Sequence, residues 1–378
     1  MLTTHKDASV MGIIFPNTYD NLVPQLVAER AMAAIPFAGR YRLIDFMLSS
    51  MTNAGIGNVS LLTRKNYHSL MEHLGSGREW DLARKHGGLN IVPPFAERTV
   101  TKIYAGRMEA LASILRFLEA QKEKYVLMTD CFQALNMDFK ALIHEHMESG
   151  ADVTAVYQVA DIPDGAKNGN YTLNMDETGR VTEILNNDYR TGKQNLCMNI
   201  YMMERERLIS MIKESSVRGQ RFFEREMLVP NLHILNVRGY RYDGYVARIA
   251  DLKSFFDENM RLLQDDNIDQ LFDKNRPIYT KTRDDNPTRY VEGAKVSNSM
   301  IADGCIIQGT VENSILFRGV HVEKGAVVRN CVLMQDTVVE VNANVEYLVT
   351  DKDVLISAGK KLSGSDTFPV YVAEAHTV

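Results

Sequence analysis

A chain of 378 residues with 45% hydrophobic content is long enough for two domains, each with a substantial core. Its 43 basic residues against 48 acidic ones leave a net charge of −5 with no long basic run, which argues against nucleic acid as a partner. No stretch approaches the ~20 apolar residues of a membrane helix, and the opening MLTTHKDASV lacks a signal-peptide core, so a soluble cytoplasmic protein is expected. The four cysteines, Cys131, Cys197, Cys305 and Cys331, are far apart and have no zinc spacing, as suits buried thiols in a reducing compartment.

Val10 to Phe15 is a short Ile-rich run of the kind that forms a buried strand of a parallel sheet. Beyond the carboxyl end of such a strand a nucleotide is normally cradled by backbone amides. The loop found there, Pro16 to Leu22, has neither glycines nor cations, and Asp20 adds negative charge. A helix is predicted from about Leu43 to Ala54, with Ile44, Leu48 and Met51 on one face and Gly55 as its stop. Strand-like runs follow at NVSLL, YVLMT and DVTAVY, and a second helix is predicted from about Arg107 to Ala120 with Met108, Leu111, Leu115 and Leu118 inward. Such alternation predicts βαβ units and a parallel sheet covered on both faces. Gly75-Ser76-Gly77, before Arg78-Glu79-Trp80-Asp81, reads either as a backbone nest for a phosphate or ribose or as a plain turn. His144-Glu145-His146 is no metal pair, because i and i+2 lie on different faces of a helix.

After Tyr157, turn signals at Asn168-Gly169 and at Glu177-Thr178-Gly179 predict a hairpin beside the main sheet. Residues 250–265, with Leu252, Phe256, Met260 and Leu263 at helical spacing, close a first domain at 1–265. Residues 266–289 read as a linker. From Tyr290 aliphatic residues return every five or six positions, at Val296, Ile301, Ile306, Val311, Leu316, Val322, Val327, Val332 and Val338, punctuated by glycines. A period near six with β-branched residues is the sign of a β-helix over 290–378 whose coils stack their apolar rows.

The strings IPFAGRYRLIDF, NAGIGNV, HLGSGREWDL and GGLNIVPPF resemble the ADP-glucose pyrophosphorylase (glucose-1-phosphate adenylyltransferase) family, and the last third is similar to the same family's β-helix. The resemblance implies an α/β fold: a Rossmann-like nucleotidyltransferase domain with a mostly parallel sheet, then a left-handed parallel β-helix. The family's catalytic subunits carry Gly-Gly-x-Gly-Thr-Arg-Leu after the first strand. Here that string aligns with Pro16 to Leu22, so that Asn17 stands for a glycine and Asn21 for the arginine.

The family's reaction transfers a nucleotidyl group through positioning and charge neutralisation, with a metal ion held by two carboxylates. Of these ligands the first is retained as Asp130, for which a capping carboxylate is the alternative reading, and the second position holds Arg248. Exchanging a carboxylate for a cation 4 Å from a divalent ion changes their interaction by about 4 kcal/mol even in water. The glutamate and lysine that hold the sugar phosphate align with Asn186 and Asn187, before Asp188, and a further lysine falls on Met32. A Gly-Thr-Ala-Asp-Ala string matches Gly106-Arg107-Met108-Glu109-Ala110. Gly75, Ser76, Gly77 and Trp80 are what remains of the nucleotide segment, and Arg40 with Arg42 is an effector or interface candidate at a position the family uses for anions.

The resemblance therefore implies a catalytically degenerate, regulatory chain with no intact catalytic set and no metal or cofactor of its own, Mg²⁺ belonging to a catalytic partner subunit. A heterotetramer with that partner, a homo-oligomer in isolation and a sugar-phosphate effector are its expected associations. The alternatives are a weakly active adenylyltransferase, an acyltransferase using His321 (the one histidine between Val296 and Val338), and a purely structural protein.

Overall fold

The computed structural model describes residues 9–94, 103–162, 171–187 and 190–378. Phe95, the turn expected at Asn168-Gly169 and Asp188 lie outside the described residues. Contacts divide the chain into two units that do not follow chain order: the described residues within Met1–Tyr19, Met47–Cys131 and Asn136–Gly244, and those within Asp20–Phe46, Phe132–Leu135 and Tyr245–Val378.

The first unit is built on a nine-stranded sheet. Strand β1 (Val10–Phe15) is buried along its whole length. It runs parallel to β2 (Asn58–Leu62) and, on its other side, to β4 (Tyr125–Asp130), and β2 runs parallel to β3 (Gly88–Val92). Three of the four predicted strands stand in this parallel block; its fourth member, Gly88–Val92, is not among them, and the predicted DVTAVY strand lies outside it, in the antiparallel part. Beyond β4 the sheet turns antiparallel: β8 (Gly192–Glu204) pairs with β4, with β5 (Val153–Ile162) and with β6 (Tyr171–Met175). Strand β6 continues through Glu177 to Gly179 into β7 (Val181–Asn186), the predicted hairpin, and Gly179 supplies the positive φ of 79° that its turn requires. Strand β9 (Val237–Arg241) lies parallel to β5.

Helix α1 (Leu43–Asn53) ends where the sequence predicts. Ile56 N–H donates to the Met51 carbonyl and Gly55 N–H to that of Thr52, a Schellman closure with Gly55 at φ +83°. Gly12 in β1 makes room for α1, since a Cβ there would lie 2.6 Å from the Met51 sulfur. The predicted helix over 107–120 is two: α3 (Arg107–Ser113) and α4 (Leu115–Ala120), broken at Ile114, whose φ of −113° and ψ of 16° leave the helical region. Met108, Leu111 and Leu118 are buried as predicted, but at the break Ile114 is buried and Leu115 only half-buried.

On α5 (Phe139–Ser149) the two histidines do face apart: His144 is exposed beside Glu148, whereas His146 is buried against Thr154, with Nδ1 2.7 Å from the hydroxyl. Burial lowers the His146 pKa, with Glu204 and Asp152 opposing. The unfolded chain then binds the extra proton first as pH falls below about 6.5, so stability is lost from there down through the lower folded-state value. His146→Gln is expected to flatten that acid slope between pH 7.5 and 5.5 in urea unfolding; an unchanged slope would exclude His146 as its source.

In the second unit Leu252–Arg261 forms a helix, α6, opened by a capping box between Asp251 and Ser254. Three five-stranded parallel sheets make the walls of the β-helix. Along one wall Ile306 pairs with His321, His321 with Val338 and Val338 with Leu355, each one coil on. Val311, Val328 and Val345 stack inward with no exposure. The predicted row departs at five places: Ile307, Val328 and Val339 are buried where Ile306, Val327 and Val338 are only half-buried, Ile301 is half-buried beside buried Ala302, and Val296 is exposed. Neighbouring residues of a strand point to opposite faces, so the spacing alone does not choose between two adjacent aliphatics. Asn298, Asn313 and Asn330 turn one corner at positive φ and form a side-chain ladder with bonds of 2.8 and 2.5 Å. All four cysteines are buried free thiols, and burial pushes Cys305 to about 11 and Cys331 to about 12.

Candidate functional site

The parallel block brings the carboxyl ends of β1 and β4 side by side, with Phe15 paired to Asp130. Asp130 has no solvent exposure. Its Oδ1 accepts from the Thr18 hydroxyl at 2.9 Å, and its Oδ2 accepts from Asn199 Nδ2 at 3.3 Å and from the Arg107 guanidinium. The other arm of the same guanidinium donates to Glu224, so one buried cation stands between two carboxylates. Phe15 and Tyr201 flank it, their ring centroids 5.3 and 5.6 Å from its carbon. Burial pushes the Asp130 carboxyl above its ordinary value, with Arg107 opposing. Burial alone would lower Arg107, but Asp130 and Glu224 outweigh it and hold the guanidinium charged.

Local structure explains the convergence. Arg107 is the first residue of α3, and Gly106 before it lets the chain pass the Arg221 carbonyl, which a Cβ would meet at 2.2 Å. Asn199 sits at φ +54° where the β5–β8 register shifts between Cys197 and Tyr201. Such a bulge re-aims a side chain out of the strand's alternation, and here the amide reaches Asp130 and the Tyr19 hydroxyl. The loop after β1 is tied down as well: Asn17 accepts from Arg64 N–H at 2.9 Å and donates to the Lys65 carbonyl at 3.0 Å.

Gly75 and Gly77 end α2 (His68–Leu74), and their N–H groups donate to the carbonyls of Met71 and Leu74. Ser76 between them is exposed, and Trp80 has no exposure and packs 5.9 Å from His73. This part of the segment is a helix-ending turn on a core tryptophan. Asn186 ends β7 on the surface, and Asn187 follows at φ +51° with its side-chain oxygen unpartnered.

The remaining sequence candidates belong to the second unit. Asn21 is exposed, and Met32 is buried in a short 3₁₀ turn whose first N–H donates to Asp20. Arg248 ends a strand paired with Gln133, its guanidinium 4.7 Å from the Phe132 ring centroid. Arg42 N–H donates to Asp45 at 3.0 Å. Arg40 lies 3.9 Å from Asp303, and Arg318, which sequence reasoning missed, reaches the same carboxylate at 3.4 Å. Burial and the charge of Arg40 lower the Arg318 pKa. Arg30, equally unforeseen, is buried in a two-pronged ion pair with Asp351 at 2.7 and 2.8 Å and reaches Glu374 at 2.8 Å.

A divalent ion at Asp130, which the family resemblance implies, needs oxygen donors around a centre open to it. Both Asp130 oxygens already accept hydrogen bonds from this chain, and a fixed positive charge lies against the carboxylate. The residues present do not fit that ion.

The nucleotidyl transferase family pattern matches residues 22–225, and the GlmU-like, C-terminal hexapeptide pattern matches residues 284–367. Glycogen biosynthesis protein GlgD of Bacillus subtilis (strain 168) is 34% identical over 362 residues, spanning 96% of this chain and 94% of that protein. The GlgD of Geobacillus stearothermophilus is 35% identical across 84% of this chain and 82% of its own length. A glucose-1-phosphate adenylyltransferase of Thermomicrobium roseum is 34% identical across 91% of this chain and 81% of its own length. With a nucleotidyltransferase unit, a hexapeptide-repeat left-handed β-helix and relatives of this similarity along most of its length, the chain belongs to the GlgD and glucose-1-phosphate adenylyltransferase family.

Proposed function

We propose that the chain is a regulatory, catalytically degenerate subunit of glucose-1-phosphate adenylyltransferase, serving glycogen biosynthesis in the cytoplasm. It assembles with a catalytic homologue, as a heterotetramer, and forms a homo-oligomer when alone. The observation that carries this reading is Asp130: at the one retained metal-ligand position the carboxylate is neutralised by the chain's own Arg107. In the sequence, the positions at which the family steadies a transferring phosphoryl charge are replaced too, the loop by Pro16 to Asn21, the lysine by Met32 and the second ligand by Arg248. Each such loss lowers a rate by orders of magnitude. Two relatives named GlgD support the assignment to glycogen biosynthesis.

An inactive pocket still biases a neighbour's conformational equilibrium when the two states of the complex bind it differently. Arg40 is the effector candidate, with Arg42 beside it in sequence. Asp303 is shared by Arg40 and the buried Arg318, and an anionic sugar phosphate would compete with that carboxylate for both guanidiniums. The second reading, a weakly active adenylyltransferase, rests on the retention of Asp130.

Pyrophosphate release from ATP and glucose 1-phosphate with Mg²⁺ separates the two, measured for this chain alone, the catalytic homologue alone and the mixture. The expected result is no turnover alone and a raised rate or shifted saturation in the mixture. Substantial turnover by the chain alone would overturn the regulatory reading.

A further inference from the structure

We propose that Arg107 is a built-in substitute for the divalent cation, and that its guanidinium, rather than the loss of the second ligand at Arg248, is what excludes a metal ion from Asp130. The inference rests on reading the Asp130 pocket as the family's altered metal site, and it concerns why that site is closed.

Asp130 and Glu224 are both more than nine-tenths buried and accept from opposite arms of one guanidinium. A lone carboxylate at such depth is strongly disfavoured as an ion, and two facing each other more so. One positive charge between them makes the pair tolerable without any bound ion. The guanidinium is also held in place: Phe15 and Tyr201 flank it, and Gly106 fixes the start of α3 behind it. Swinging Arg107 out to admit a metal would break both ion pairs and bury two uncompensated charges. Arg248, by contrast, stacks on Phe132, so Arg248→Asp restores the second ligand while keeping the Arg107 guanidinium, and it tests the second-ligand explanation by itself.

Removing the guanidinium reverses the situation. The space it leaves is faced by the Oδ2 of Asp130 and the Oε1 of Glu224, with the Asn199 amide on the former oxygen. Two carboxylates around a vacated cation position are a hard, oxygen-rich site suited to Mg²⁺ or Mn²⁺. Arg107 is thus a positioning residue for the closed pocket, and its charge is the property that keeps metal away.

Mn²⁺ binding, followed by the electron paramagnetic resonance signal of the free ion, tests this on the full chain. The unsubstituted chain and Arg248→Asp are expected to show no Mn²⁺ binding that Asp130→Asn removes. Arg107→Ala is expected to gain saturable Mn²⁺ binding that the unsubstituted chain does not show. Asp130→Asn in that background should abolish the gain, and Arg107→Lys, which keeps a cation, should not show it. A merely structural arginine would move stability but not Mn²⁺ affinity. Saturable Mn²⁺ binding by the unsubstituted chain that Asp130→Asn abolishes would overturn the proposal, as would a folded Arg107→Ala without the gain. Should Arg107→Ala not fold, the unsubstituted chain, Arg248→Asp and Arg107→Lys still decide. None of these outcomes depends on turnover, so the proposal and the regulatory reading fail separately.

Discussion

Arg107→Met is expected to destabilise the α/β unit by about 3–5 kcal/mol, the range typical of removing one partner from a buried ion pair. The substituted side chain keeps much of the volume between Phe15 and Tyr201 but leaves Asp130 and Glu224 without their cation. The loss should depend on pH in a defined direction. Burial already pushes the Asp130 carboxyl up against the opposition of Arg107, and without Arg107 the folded-state value rises further. A carboxyl whose folded pKa exceeds its unfolded value of about 4 binds its proton more readily in the folded state. Its stabilisation is therefore complete below that unfolded value and is lost as pH rises through the folded one. The variant should lie closer to the unsubstituted protein at pH 5 than at pH 8 in urea unfolding. Equal deficits at both values would mean that packing, not charge, is what Arg107 supplies. Arg107→Met with Asp130→Leu and Glu224→Gln should recover most of the loss, because no buried charge is then left unpaired.

How far such a pocket can be read from sequence depends on which part of it is local. The strand Val10–Phe15, the Gly55 stop and the period-six repeat are local patterns, and each formed as expected. Asp130 was legible for the same reason, as a charged residue ending an apolar strand. Arg107 was not: in sequence it is an ordinary helix-opening arginine, and its partners lie 23 and 117 residues away. A faint signal did exist in CMNIYMM, where Asn199 interrupts an apolar run and marks the bulge that turns its amide onto Asp130. The Leu115 prediction failed for a different reason: one non-helical residue at Ile114 turns Ile114 inward in place of Leu115, while Leu118 is buried as expected, and no proline or glycine announces the break. Which of two adjacent aliphatics points into a β-helix coil is likewise fixed by pairing between coils, which spacing does not encode.

The second large effect is expected at Arg30, where Arg30→Met should cost about 3–5 kcal/mol in the β-helix unit. Its side chain is 2% exposed and that of Asp351 4%. Two parallel N–H to carboxylate bonds of 2.7 and 2.8 Å join residues at nearly opposite ends of the chain, a geometry that combines strength with direction. With Arg30 gone, Asp351 keeps the Tyr371 hydroxyl and the Lys352 N–H, each at 2.8 Å, but no equivalent charge. Lys352 compensates in part: burial, Arg30 and Arg42 together lower its pKa, and losing Arg30 relieves one of those causes. The segment that Arg30 pins includes the Met32–Ala34 turn, so the amides of Ala34 and Ile35, bonded to Ala31 and Met32, should exchange hydrogen faster in the variant. Unchanged exchange there alongside a full loss of stability would place the effect in the β-helix coil rather than in the pinned segment. Arg30→Met with Asp351→Leu separates charge from packing once more: if the pair acts chiefly by satisfying a buried carboxylate, the double variant unfolds at a higher urea concentration than Arg30→Met alone. The same reversal is expected at Arg107, because in both places the energetic consequence comes from the carboxylate left behind and not from the arginine removed.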